Sequence, residues 1–278
     1  MRWLFGVLIA IAALAVSGSA ALAANPPRLV SMNVCTDQLV LRLADPEQIL
    51  GLSRFSRDGW QSHAGDISRY PVLSGGAEDV LLIRPDLVVA SAFDKRSTRE
   101  LLKAKGLRLA ELAVPRTLDE ARQQIREAGD IIGHPDRAAV EIARLDAALA
   151  RARRAVAERH YRVLPLSRRG WVAGSDSFVG SLLSEIGLRS AAGDLGFNFG
   201  GFASLEAIVN LRPDFIVVSQ AGDYAGDDGQ AFLLHPALER FYPPEKRIVI
   251  PERMTECGGV MLADALDALT AELKRVGR

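Results

Sequence analysis

"EDVLLIRPDLVVAS" spans Glu78–Ser91, and "EAIVNLRPDFIVVS" spans Glu206–Ser219, 128 residues further on. Six of the fourteen positions are identical: Glu78/Glu206, Arg84/Arg212, Pro85/Pro213, Asp86/Asp214, Val89/Val217 and Ser91/Ser219. Most of the others exchange one apolar residue for another. Each phrase reads as a short amphipathic helix, a proline stop and a strand. Proline disfavours helical geometry in the residue before it, so each helix ends there. "DLVVAS" does not alternate polar with apolar residues, which predicts a strand buried on both faces. One such unit arises easily. Two at matching places in two α/β stretches predict two related lobes.

The flanking sequence supports that division. "RLVSM" (Arg28–Met32) and "QILGLS" (Gln48–Ser53) read as strands. The helical "CTDQLVLRLA" between them takes Thr36 or Asp37 as its cap. "TRELLKAKG" is a helix stopped by Gly106, with the strand "RLAEL" after it. Past residue 160, "RVLPLS" (Arg162–Ser167), "DFIVVS" and "RIVIP" are strands. "SDSFVGSLLSEIG" is a helix capped at Ser175 or Asp176, "HPALERF" a short helix and "GVMLADALDALTAELKRVG" the terminal one. Such alternation predicts parallel sheets with helices on their faces. Between Thr117 and His160 the strand signal nearly vanishes. Thr117 and Glu120 form the capping-box pattern of one helix. Gly133-His134-Pro135 breaks it, and Asp136 opens a second helix. At about 24 residues and 1.5 Å per residue, that helix spans roughly 36 Å. The expected domains are an N-terminal α/β lobe (24–116), a helical linker (117–160) and a C-terminal α/β lobe (161–278).

The 278 residues are 49% hydrophobic, enough for one large core or two modest ones. Lys+Arg and Asp+Glu are both 34, and this neutral balance leaves no basic footprint for nucleic acid. The opening "MRWLFGVLIAIAALAVSGSAALA" has an early Arg, an apolar run and a small-residue end. That pattern predicts a signal peptide over 1–23, cleaved after Ala21-Leu22-Ala23. No cysteine lies near the cleavage point, so no lipid anchor is expected and the mature chain is read as periplasmic. Cys35 and Cys257 are the only cysteines. Export permits a disulfide between them, with two free thiols as the alternative.

Four stretches carry a family resemblance: "RLVSMNVCTDQLVLRLADPEQILGLS", "EDVLLIRPDLVVAS", "GSDSFVGSLLSEIGL" and "FASLEAIVNLRPDFIVVS". In order and spacing they resemble the class III periplasmic binding proteins, whose two Rossmann-like lobes are joined by one long backbone helix, the helical-backbone metal receptors. Within that class the chain is similar to the Fe/B12 branch, which serves ABC importers of vitamin B12, ferric siderophores and haem. The resemblance implies a monomeric receptor that captures a metal chelate between its lobes. It implies delivery to an inner-membrane ABC permease dimer with its ATPase subunits, with no catalysis and no resident cofactor. Glu78 and Glu206 match the family's transporter-docking glutamates. The packing alternative is that each carboxylate merely favours the first turn of its helix. One long connecting helix also implies little hinge motion on binding.

Ligands of open α/β sheets bind outside the carboxyl ends of the strands. The candidates at those ends are Asn33, Phe55, Arg57, Trp60 and Phe93 in the first lobe. In the second they are Arg168, Arg169, Trp171, Phe197, Phe199, Phe202, Tyr224, Arg253 and Met254. Aromatic rings give apolar area at low entropy cost, and Arg grips carboxylate bidentately; both suit a flat anionic chelate. Any one of them is also a plausible packing residue. The four histidines are scattered, so direct capture of bare zinc or manganese is the weaker reading. An axial thiol or thioether from Cys35, Cys257 or Met254 competes with the disulfide. A haem or metal-ion receptor of the same fold is one alternative, and a two-lobed chelatase-like enzyme another. The enzyme reading lacks a visible Ser-His-Asp constellation.

Overall fold

The structure is a computed structural model that describes residues 25–58, 62, 67–157, 159–219 and 228–277. The expected signal peptide, Trp60 and Tyr224 lie outside the described residues.

The first lobe runs β1 (Leu29–Ser31), α1 (Val34–Leu43), β2 (Ile49–Gly51), α2 (Ala77–Ile83), β3 (Leu87–Ser91), α3 (Arg96–Ala104) and β4 (Leu109–Leu112). Its four strands form one parallel sheet in the order β2-β1-β3-β4. All five residues of β3 are buried, as a central strand covered on both faces requires. Next come α4 (Leu118–Ile132) and α5 (Pro135–Val156). The second lobe runs β5 (Arg162–Leu166), β6 (Trp171–Ala173), α6 (Phe178–Glu185), β7 (Arg189–Ser190), β8 (Gly200–Phe202), α7 (Leu205–Leu211), β9 (Phe215–Val218), α8 (Asp228–Ala231), α9 (Pro236–Phe241), β10 (Arg247–Val249) and α10 (Leu262–Val276). Its sheet has the order β10-β9-β5-β6-β8, with β7 beside β5.

This second sheet is mixed, whereas the sequence pattern suggests parallel strands alone. β6 is antiparallel to both β5 and β8. Its segment and "GGF" read as loops because three-residue, glycine-rich strands carry no periodic signal. Caps also shift. Asn33 caps α1, accepting from the backbone N–H of Cys35 and Thr36, while Thr36 returns a bond to Asn33. Ser177, not Ser175 or Asp176, caps α6 through the N–H of Gly180 at 3.1 Å. α5 opens at Pro135 and has 22 residues, so at 1.5 Å each it is about 33 Å long. Thr117 accepts from the Glu120 N–H at 3.2 Å, but Glu120 reaches back to the N–H of Arg116 and leaves the capping box half made.

The structure gives most of the repeated letters a mechanical duty. Arg84 and Arg212 both take left-handed backbone, with φ of 52° and 49°, ending α2 and α7. Asp86 accepts the N–H of Arg28 at 2.9 Å, and Asp214 accepts that of Arg162 at 2.7 Å. Each aspartate thus pins the start of the neighbouring strand, β1 or β5. Arg28 and Arg162 also reach the carbonyls of Arg84 and Arg212, both at 3.4 Å. Val89 is buried, and Ser91 closes the strand.

One apolar core joins the lobes. It runs from Leu29, Leu39 and Leu87 through Ile125, Leu145 and Leu149 to Val163, Phe215 and Leu266. Asp264 of α10 is the polar counterpart, accepting from Arg42 of α1 at 2.9 Å and from Arg144 of α5 at 2.7 Å.

Candidate functional site

The loops at the carboxyl ends of both sheets converge. Cys35, in the first turn of α1, is disulfide-bonded to Cys257, which follows β10, with a Cα–Cα distance of 5.1 Å. The sulfurs therefore bridge the lobes, and neither is available as an axial ligand. Gln38 of α1 donates to the carbonyl of Arg253 at 3.3 Å. Gly258 is left-handed (φ 64°), and a Cβ there would stand 2.8 Å from Pro115, just past β4. Residues 251–261 thus form a strap from the second sheet across α1 and the β4–α4 loop, carrying Arg253 and Met254, both half-buried.

On the first-lobe side the strand ends share a polar network that composition and spacing do not reveal. Asn33 donates to Ser91 at 3.2 Å and to Asp94 at 2.7 Å. Asp37 is fully buried beneath it, accepting from the Ser53 N–H at 3.0 Å and the Ser53 hydroxyl at 2.6 Å. Burial pushes the Asp37 carboxyl up to about 6, against hydrogen bonds from Ser31 and Ser53 that pull it down. An unfolded Asp ionises near pH 4, so between about pH 4 and 6 the folded chain keeps a proton that the unfolded chain has released. The stability tied to this group is full below that window and lost as pH rises through it. Relative to wild type, Asp37→Asn should gain about 2 kcal/mol between pH 4.5 and 7.5, measured by urea unfolding. A difference independent of pH would show that Asp37 ionises normally.

Above this network stand the predicted side chains. Phe93, just past β3, is 81% exposed. Phe55 is half-buried after β2 with the Arg54 guanidinium 4.6 Å from its ring centre, and Arg57 is exposed in the same turn. Across the cleft, Arg169 and Gly170 are consecutive left-handed residues, with φ of 57° and 76°. They turn the chain tightly out of β5 and leave Arg169 exposed. Trp171 then opens β6 and meets Phe202 of β8 edge to face, 5.0 Å between ring centres. The double glycine makes this possible. A Cβ on Gly200 would lie 2.5 Å from the Trp171 ring, and one on Gly201 would lie 2.4 Å from Phe197. Successive strand residues face opposite ways, so the pair seats one ring on each side of β8. Phe197 consequently packs, partly buried, against the second-lobe core. Phe199 and Phe202 remain 79% and 66% exposed. Gly200→Val should dislodge Trp171 and quench or shift its fluorescence while far-UV circular dichroism is unchanged; an unmoved Trp171 signal would refute this packing.

Glu78 and Glu206 occupy equivalent places. Each is the second residue of a seven-residue helix, α2 or α7, and each is exposed. The Glu206 carboxyl is held below its usual value, first by its own backbone N–H and then by the Ser204 hydroxyl. It therefore also serves its helix end, as the packing alternative requires.

The periplasmic binding protein profile matches residues 29–243, from β1 to just beyond α9. The chain belongs to the periplasmic binding protein family. Cobalamin-binding protein of Halobacterium salinarum is 25% identical over 210 residues, covering 72% of this chain and 55% of that protein. The chain thus spans about half the length of that curated relative. Among solved structures, the periplasmic heme-binding protein RhuT of Roseiflexus sp. RS-1 superposes with a TM-score of 0.70 at 24% identity, covering 91% of this chain and all of that one. The periplasmic vitamin B12 binding protein BtuF of Vibrio cholerae gives 0.65 at 15% identity, over 91% and 99% of the two chains. These likenesses establish the two-lobed class III fold. Among the described residues no group of three or more His, Cys, Asp or Glu is arranged to hold a metal ion. His134 illustrates why: it stands at the N-terminus of α5 and its ring bonds Gln48 at 2.7 Å, a duty within the scaffold.

Proposed function

We propose that this protein is the periplasmic receptor of an ABC importer and carries a large metal chelate, cobalamin or a ferric siderophore, in the interlobe cleft. Haem is the closest rival cargo of the same site. The observation that carries the reading is the exposed ring pair Trp171 and Phe202 at the carboxyl edge of the second sheet, with Phe55 and Phe93 at strand ends of the first and Phe199 as a further exposed ring. Rings left this exposed at the mouth of a cleft suit a flat ligand that covers them. Arg57, Arg169 and Arg253 supply positive charge around the same opening, with Trp60 and Tyr224 as further proposed contacts. The export signal and the family support a periplasmic location and a leader removed after Ala23.

Glu78 and Glu206 are proposed to orient the receptor on two permease subunits through Arg or Lys partners. Rim charges of this kind govern encounter and register more than affinity. Leu82, 81% exposed one turn past Glu78, gives the first-lobe face an apolar contact as well.

Isothermal titration with cyanocobalamin, haemin and ferrichrome separates the cargoes. One of them should bind one-to-one without chemical change. Turnover of any of them would instead favour the chelatase-like enzyme.

A further inference from the structure

The second lobe contains an apolar cavity of about 100 Å³ that the cleft description leaves unused. Leu166, Ala173, Leu182, Val217, Ile250 and Leu266 line it, between the sheet and helices α6 and α10. Its lining also includes Ser167, Ser219 and Thr255, and the first two immediately follow β5 and β9. The cavity therefore reaches the carboxyl edge of the sheet, where the cleft lies. Ala173 is two residues from Trp171 on β6, so the two share a face of that strand. Trp171 stands at the cleft edge, and Ala173 lies one step deeper. Ala173 thus sets the cavity beside the strand face that carries Trp171.

We propose that this cavity is a subsite for a compact apolar arm of the cleft ligand, a single ring or a branched alkyl group. The inference rests on the receptor reading and adds the shape of the cargo. A dry apolar cavity of about 150 Å³ accommodates benzene. A somewhat smaller one that continues into the cleft takes the inner part of such a ring and leaves its attachment outside. The hydroxyl residues lie where that attachment, usually polar in a chelate, would emerge. An arm seated there fixes the rotation of a flat ligand on Trp171, which stacking alone leaves free.

The test uses the full mature protein with methyl-labelled Ile, Leu and Val, and toluene as probe. Toluene should shift the methyl signals of Leu182, Ile250 and Leu266. Saturation with whichever of cyanocobalamin, haemin or ferrichrome binds should weaken toluene binding at least tenfold. Ala173→Phe, which fills the cavity, should abolish the toluene shifts and weaken the chelate at least tenfold. Toluene that fails to enter, or that binds equally well beside a bound chelate, overturns the subsite. A wild-type protein that takes up toluene but binds none of cyanocobalamin, haemin and ferrichrome instead overturns the cargo reading. The toluene competition needs no substitution, so a poorly folding variant does not weaken the test.

Discussion

Receptor carrying both Glu78→Arg and Glu206→Arg should support no more ATP-driven uptake than vesicles lacking receptor. Ligand affinity, measured apart from the permease, should stay within twofold of wild type. The reason lies in what the repeated phrase needs for its own folding. Arg84 and Arg212 end their helices in left-handed backbone, Pro85 and Pro213 forbid continuation, and Asp86 and Asp214 pin the neighbouring strands. Those letters each have a duty within the unit's own folding. The glutamates differ: a carboxylate at a helix start is favourable but replaceable, since Asp79 is a second carboxylate in the first turn of α2 and Ser204 caps α7. Their recurrence at the second position of both helices, exposed in each case, asks for an external partner. Each single reversal should cut uptake partially, since one lobe would still engage. Full uptake by the double variant would end the docking assignment.

Removing the Cys35–Cys257 disulfide should have the largest effect on stability. The bond closes 222 residues of sequence and ties α1 to the strap after β10. Native disulfides of this kind are worth about 2–5 kcal/mol, the larger values going with longer loops. At about 2–4 °C per kcal/mol for a chain of this size, the paired Cys35→Ser, Cys257→Ser variant should melt roughly 5–15 °C lower. Its strap should also loosen, because Gln38 and Gln124 bury carbonyl oxygens beside it that no protein group satisfies. Hydrogen exchange over residues 251–261 should accelerate in the variant. Equal melting temperatures would show that the continuous core holds the lobes without help.

Much of the scaffold was legible before any coordinates. The repeat, the strandless stretch from Thr117 to His160 and the buried "DLVVAS" strand each carry strong local patterns. What escaped had no such pattern. β6 and β8 are three residues each, and "GFNFGGF" reads as loop because Gly196 turns the chain in left-handed backbone while Gly200 and Gly201 serve ring packing. Phe197 and Phe199 are two residues apart and chemically identical, yet one packs beside Gly201 on the second-lobe core and the other is exposed; both precede β8, so no strand pattern separates them. Asn33 caps α1 one turn ahead of the residues that sequence favours, because Thr36 supplies the returning bond. The Asp37 network also stayed hidden, since buried carboxyls and exposed ones look alike in a sequence. Cysteine pairing was open to reasoning only because there were two.

The most direct measurement is native mass spectrometry of the protein recovered from its own periplasm, followed by release of the bound mass. A single metal chelate at one per chain, displaced in competition by cyanocobalamin, haemin or a ferric siderophore, is the predicted result. A chain that carries no ligand from its native compartment and binds none of the three in vitro would contradict the account.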